Sequence, residues 1–225
     1  MSFVVKEKQK SAVRRLPRDA DLTQRLILDA AEMEFALHGL KGARTDKIAS
    51  RAGVAPRMIY YYFESKEGLY QAVLQRPATE IDEMIQNAKL EQLPPDMALE
   101  TLLRVAIAYE ITHRYRGMLL FQEANQNQGK YFGLTNWQLG ISKVVQVLER
   151  GVKSGTFRPL DTYMTTLQII GSCVFYANAH ENLKHLTPEQ DLLSQEMIER
   201  YTHSAIQLIL NGVRADSFLG SDAVS

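Results

Sequence analysis

From Asp21 to Gly212, apolar residues recur at spacings of three and four, and no segment sustains the alternation of apolar and polar residues that a strand needs. A helix gathers residues i, i+3 and i+4 on one face, whereas a strand gathers i and i+2. An all-α chain is therefore expected. With 225 residues, 45% of them apolar, it can bury a real core. No apolar run approaches the roughly 20 residues of a membrane helix. The basic N-terminus lacks the apolar stretch of a signal peptide. No membrane partner and a cytoplasmic location are expected.

The boundaries follow from local signals. The first helix reads LTQRLILDAAEMEFALHG, with Asp21 and Gln24 spaced as a capping box, Ile27, Ala31 and Phe35 on one stripe, and Gly39 as its stop. Two short helices follow, then a longer one opening at Ser65. Pro77 is expected to kink or split that helix near Arg76, because proline removes a helical hydrogen bond and crowds the preceding turn. LEQLPP reads as a loop, Asp96 as the cap of a helix to about Tyr115, and Gly117 as the start of a short helix closed by NQNQGK. Thr135 opens a helix ending in GVKSG, and Asp161 caps the next, to about Lys184. Thr187, Pro188 and Glu189 have the order of cap, first-turn proline and acidic first turn, so the last helical region is expected to begin there and reach Gly212. Residues 1–20 and 215–225 read as flexible tails, the first of them basic. That basic tail is either a solvated terminus or an arm for phosphate or the minor groove.

Charge is uneven although the net is zero. Residues 1–70 hold 13 Lys/Arg against 9 Asp/Glu, and the remainder hold 13 against 17. This suits an N-terminal part that meets a polyanion and a body that does not. Cys173 is the only cysteine, which excludes an intrachain disulfide and leaves a small buried side chain as its simplest role.

Function is concentrated in GARTDKIASRAGVAPRMIYYYFESKEGLY, residues 42–70. Thr45 can cap a short helix with Asp46 at its positive end. Ile48, Ala49 and Ala52 form its apolar face, Gly53 permits a left-handed turn, and Pro56 suits the first position of a second short helix ending at Tyr62. Two such helices joined by a glycine-containing turn form a helix-turn-helix. At 100° per residue, Ile59 and Phe63 face the core beside Val54, Arg57 and Tyr61 point away, and Met58 and Tyr60 flank them. An outward arginine, tyrosines and methionine are a costly surface unless they meet a partner. The DNA major groove accepts a helix of this kind: arginine bonds guanine edges, and apolar groups touch thymine methyls. Tyrosine hydroxyls, Thr45 and Lys66 can reach phosphates.

This stretch resembles the TetR family of transcriptional regulators over residues 22–70, through ILDAAEMEFALHG, then T-x-x-I-A-x-x-A-G-V, then I-Y-Y-Y-F-x-S-K-E-G-L. The resemblance implies a helix-turn-helix at about 45–64 within a DNA-binding domain at 21–70. The DNA-facing set is Arg44, Thr45, Ala55, Pro56, Arg57, Met58, Tyr60, Tyr61, Tyr62 and Lys66. It further implies a helical ligand-binding and dimerisation body at 71–214, a palindromic operator in double-stranded DNA, a homodimer, and repression relieved by a small-molecule effector. Three departures stand out. Ala55 replaces a common capping Ser or Thr, at a cost of about 1 kcal/mol or less. Met58 replaces a smaller residue, and Pro77 interrupts a helix the family usually keeps longer.

In the body, Tyr163, Leu167, Ile170, Val174 and Ala177 recur on one helix, and Met197, Tyr201, Ala205, Leu208 and Ile209 on the last. The resemblance assigns Tyr163, Leu167, Tyr201, Ala205, Leu208 and Ile209 to the dimer interface. Polar and aromatic groups on apolar helices supply an effector-pocket set: Tyr109, His113, Phe121, Trp137, Gln168, Tyr176 and Asn178, with Gln122, Asn125 and His180 as further candidates. Their mixture suits a small aromatic or heteroaromatic metabolite, and His113 with Arg114 or Arg116 could meet an acidic one. No cofactor is implied. Two further readings remain open: a pocketless TetR-like nucleoid or division-linked factor, and a protein-interaction module. An enzyme is disfavoured. The chain has no H-E-x-x-H, no G-x-S-x-G and no phosphate loop, and its five histidines have no metal-ligand spacing.

Overall fold

The computed structural model describes residues 17–215, with side chains from Ala20 onward. Both expected tails lie almost wholly outside this range. The described chain contains nine α-helices: α1 Pro17–Gly42, α2 Thr45–Ala52, α3 Arg57–Phe63, α4 Lys66–Asn87, α5 Pro95–Thr112, α6 Arg114–Asn127, α7 Trp137–Ser154, α8 Thr162–Leu183 and α9 Gln195–Val213. Short 3-10 turns sit at Leu90–Gln92 and Phe132–Leu134. The only extended pairing among the described residues is an isolated bridge between Phe157 and Arg214. The all-α expectation holds.

Two apolar cores organise these helices. The first, in the N-terminal head, joins Ile27, Ala31 and Phe35 of α1, Ile48 and Ala49 of α2, Ile59 of α3 and Leu69, Tyr70 and Val73 of α4. The stripe expected on the first helix is thus buried. Leu119 of α6 completes this core from the body. The second core gathers α5, α7, α8 and α9 around Leu99, Leu103, Leu148, Phe157, Ile169 and Ile206. Gly39 breaks α1 at φ 65°, and a Cβ there would lie 2.1 Å from Gln126 of α6. The left-handed backbone favours glycine at this position, and a Cβ there would also push the Gln126 amide aside.

Several boundaries differ from expectation. Asp21 lies inside α1 rather than capping it. Arg44, not Thr45, occupies the cap position of α2, and it makes no side-chain cap bond. Pro77 does not split α4, which runs through it with the proline ring buried. Packing on both sides of the helix outweighs one absent hydrogen bond. Pro94 precedes α5 with Pro95 in its first turn, and Asp96 instead accepts from Met97 N at 3.0 Å and pairs with Arg214 at 3.1 Å. Asn136 rather than Thr135 precedes α7. Thr187 opens no helix: α9 begins after Ser194, whose hydroxyl accepts from Met197 N. Tyr176 of α8 donates to the Leu192 carbonyl at 2.6 Å, pinning the intervening segment as turns. The Asp161 cap of α8 is formed as expected, accepting from Met164 N at 2.9 Å.

Candidate functional site

The head presents α3 on its outer side. Ile48, Ala49 and Ala52 of α2 pack inward, and Gly53 adopts φ 68°, ψ 28°, so α3 leaves α2 at a sharp left-handed turn. Ile59 anchors α3 in the core and is fully buried. On the opposite side Arg57 is exposed, Tyr60 is 49% exposed and Tyr61 is 76% exposed. Arg57 makes no ion pair among the described residues. Thr45 and Tyr60 join their hydroxyls at 3.3 Å, tying the start of α2 to the middle of α3. Ala55 and Pro56 are exposed in the turn before α3.

Four members of the DNA-facing set sit differently from a free outward side chain. Met58 and Tyr62 are half-buried against the head core, with Tyr62 also edge-on to Tyr61 at 5.0 Å. Arg44 gives both ends of its guanidinium to Asp46, Nε to Oδ1 at 3.1 Å and Nη2 to Oδ2 at 2.8 Å. That bond and the arginine charge hold the Asp46 carboxyl below its ordinary range. Lys66 donates to the Lys41 carbonyl at 3.3 Å, just beyond the α4 cap that Ser65 forms with Gly68 N at 2.9 Å.

Behind the head, α1, α4 and α6 meet in a largely buried ionic cluster. Arg116 of α6 is 4% exposed and bonds Glu32 of α1 at 2.9 Å. It also bonds Glu80 of α4 and the Tyr109 hydroxyl of α5. Arg76 adds Glu80 at 2.9 Å, Glu32 at 3.5 Å and Asp29. Burial alone would raise the Glu80 carboxyl, but the Arg116 bond and the charges of Arg116 and Arg76 outweigh it and hold it below the usual glutamate value. Arg116 is therefore committed and cannot meet an acidic effector as the sequence suggested.

The body encloses a cavity of about 200 Å³ between α4, α5, α6, α7 and α8. Ile81 and Ile85 of α4, Leu103 of α5, Ile141 and Val144 of α7 and Ile169 of α8 supply much of its apolar wall. Of the expected pocket set, only Trp137 lines it. Tyr109 belongs to the ionic cluster, and His113 bonds the Tyr109 carbonyl at 2.9 Å. Phe121 and Gln168 are exposed. Gln122 donates to the Ala36 carbonyl across the head-body seam. Tyr176 stacks on Tyr201 with ring centres 4.1 Å apart. Asn178 stands one step behind the wall, donating to Glu110 at 3.2 Å.

Sequence reasoning missed Glu110, the one carboxylate in the wall. Its signal was present as a lone acid in the apolar run of α5, LLRVAIAYEIT. Cys173 also lines the cavity; burial, then the Glu110 charge, push its thiol up to about 12. Of the expected interface residues, Tyr163, Leu167 and Leu208 are exposed and Ile209 is half-buried. Ala205 is buried within the protomer, and Tyr201 donates to the Ser172 carbonyl of α8. Tyr201 is itself half-buried.

Comparison with known proteins accords with this geometry. Residues 27–73 match the family model of bacterial regulatory proteins of the tetR family, and residues 95–209 match the tetracyclin repressor-like C-terminal domain. The chain belongs to the TetR family. It is 31% identical over 173 residues to the HTH-type transcriptional repressor NicS of Pseudomonas putida, covering 72% of this chain and 80% of that one. It is 27% identical over 200 residues to the HTH-type transcriptional regulator RutR of Escherichia coli, covering 88% and 93%. Among solved structures, FadR from Bacillus subtilis in complex with stearoyl-CoA matches at TM-score 0.67 and 20% identity, over 84% of this chain and 99% of that one. FadR from Bacillus halodurans matches at TM-score 0.67 and 23% identity, over 88% and 97%. Those two likenesses concern the fold alone. Like its relatives, this TetR-family chain is a transcriptional regulator with a helix-turn-helix, not an enzyme. Among the described residues no helix is long and apolar enough to cross a membrane.

Proposed function

We propose that this TetR-family regulator is a repressor that reads a palindromic operator as a homodimer and lets go when a small molecule fills the body cavity. The observation that carries this reading is the course of α4. Only Glu64 and Ser65 separate its first residue, Lys66, from the end of α3, and its far half supplies Ile81 and Ile85 to the cavity wall. A ligand that displaces that wall moves the same rigid element that sets the angle of α3, so occupancy and DNA geometry share one coordinate. The Arg76–Glu80–Arg116–Glu32 cluster stiffens the seam the movement must cross.

In this reading Arg57, Tyr60 and Tyr61 enter the major groove. Ala55 and Pro56 bring the backbone near the duplex, while Thr45 and Lys66 contact phosphate. Arg44 serves as a phosphate ligand only by exchanging Asp46 for the duplex. Tyr163, Leu167 and Leu208, with Met164 and Phe175, leave an apolar face on α8 and α9 that supports pairing with a second copy. Two heads are also how so short a helix gains affinity. A cavity walled by five helices speaks against the pocketless nucleoid reading.

The test is retention of duplex fragments flanking the protein's own gene, measured against salt and against a metabolite panel. Retention that falls steeply with salt and is relieved by a compound is expected. A protein that ignores DNA at low ionic strength refutes the DNA-reading role. One that binds DNA but responds to no compound in binding or melting refutes the ligand-gated role.

A further inference from the structure

We infer that the body cavity takes a small apolar molecule bearing a protonated amine, seated with its ammonium against Glu110; this rests on the cavity being the effector site proposed above. Glu110 is 7% exposed on an otherwise apolar wall. Its Oε2 accepts from Asn178 Nδ2 at 3.2 Å, and no other hydrogen bond to the carboxyl is found among the described residues. No Lys, Arg or His pairs with it among them either. Arg116, whose charge does act on Glu110, is already divided between Glu32 and Glu80. Asn178 Oδ1 is itself buried without a partner. This corner therefore carries a surplus of acceptors and no free cation.

A buried carboxylate is costly unless a positive group or several donors meet it. Burial, offset only in part by the Asn178 bond and the Arg116 charge, holds the Glu110 carboxyl above its ordinary range. An ammonium ligand supplies both the missing charge and up to three donors, in bonds stronger than those between neutral groups. A neutral alcohol supplies one weaker bond, and a carboxylate meets a like charge. The remaining wall, from Ile81 to Trp137 and Ile169, takes hydrocarbon. The volume of about 200 Å³ lies below the common range of ligand pockets, which favours one ring on a short arm.

The test compares three head groups on two bodies: benzylamine, benzyl alcohol and phenylacetate, and cyclohexylmethylamine, cyclohexylmethanol and cyclohexylacetate. Binding to the full chain is measured by calorimetry and by melting shift. Each amine is expected to bind about tenfold tighter than its alcohol, the worth of one charge-assisted bond, and each carboxylate more weakly than its alcohol. Glu110→Gln is expected to remove the amine preference while the alcohols still bind. Should that variant fail to fold, the ranking in the unmodified protein decides alone. Amines that bind no better than alcohols, carboxylates that bind best, or an amine preference that survives Glu110→Gln would overturn the amine class and leave the cavity as effector site. Absence of binding by all six compounds would overturn the amine class, while the metabolite panel above decides the cavity's role as effector site.

Discussion

Arg116→Ala tests how the head is held to the body. The substitution deletes the one guanidinium that touches Glu32, Glu80 and Tyr109 together, at a position 4% exposed. Breaking one side of a buried ion pair costs about 3–5 kcal/mol, because the stranded charge stays behind. Here the lower end applies. Arg76 remains 2.9 Å from Glu80 and 3.5 Å from Glu32, so neither carboxylate is left without a cation. A loss of about 3 kcal/mol corresponds to about 6–12 °C in melting temperature for a chain of this size. Urea unfolding followed by circular dichroism, with both proteins at the same concentration so that any self-association counts equally in each, measures it. Arg116→Met with Glu32→Leu in the same chain should recover much of the loss, since an apolar pair replaces the buried charges with comparable volume. A loss below about 1 kcal/mol for Arg116→Ala, the value of an exposed pair, would refute the buried-cluster account of the seam.

Arg57→Ala should cost about 1–3 kcal/mol on the preferred operator and relax selectivity at one base position, whereas Lys66→Ala should weaken all duplexes alike and lower the salt slope by about one; competition binding on a randomised operator library separates the two. Because the Glu110 carboxyl is raised in the folded protein, its contribution to stability is present below the ordinary value of 4.5 and is lost as pH climbs through the raised one. Wild type should therefore lose stability relative to Glu110→Gln as pH rises from 4.5, and the loss should level off once pH passes the raised value, in paired urea titrations; equal slopes would contradict the burial assigned to this group. Cys173, with its thiol near 12 and its side chain buried, should resist iodoacetamide at pH 8 until urea unfolds the body; rapid labelling of the native protein would place it at the surface.

The head was legible residue by residue because its signals are local. Gly53 needs a left-handed backbone, Ile48, Ala49 and Ile59 follow helical spacing, and Tyr61 falls opposite them on the wheel. Apart from Trp137 the cavity was not legible, because its wall is assembled from five helices and most of its members are ordinary Ile, Leu and Val. Polarity was a poor guide there: Tyr109 and Gln122 use their polar atoms to fasten helices together, and Tyr176 uses its hydroxyl to hold the turns before α9. Caps failed where a competing partner existed. Asp96 is shared with Arg214 more than a hundred residues away, a contact no local pattern encodes.

Leu119 plugs the head core from α6, Gln122 of the same helix holds the Ala36 carbonyl, and Gln126 closes on Gly39. The reader is thus not a detachable module. A fragment ending near residue 70 would expose the hole that Leu119 fills, and a chimera carrying this head on a foreign body would inherit that hole unless one face of its α6 were transplanted as well. Exchange of heads and bodies among relatives of this protein is therefore constrained by three side chains that lie neither on α3 nor in the cavity wall.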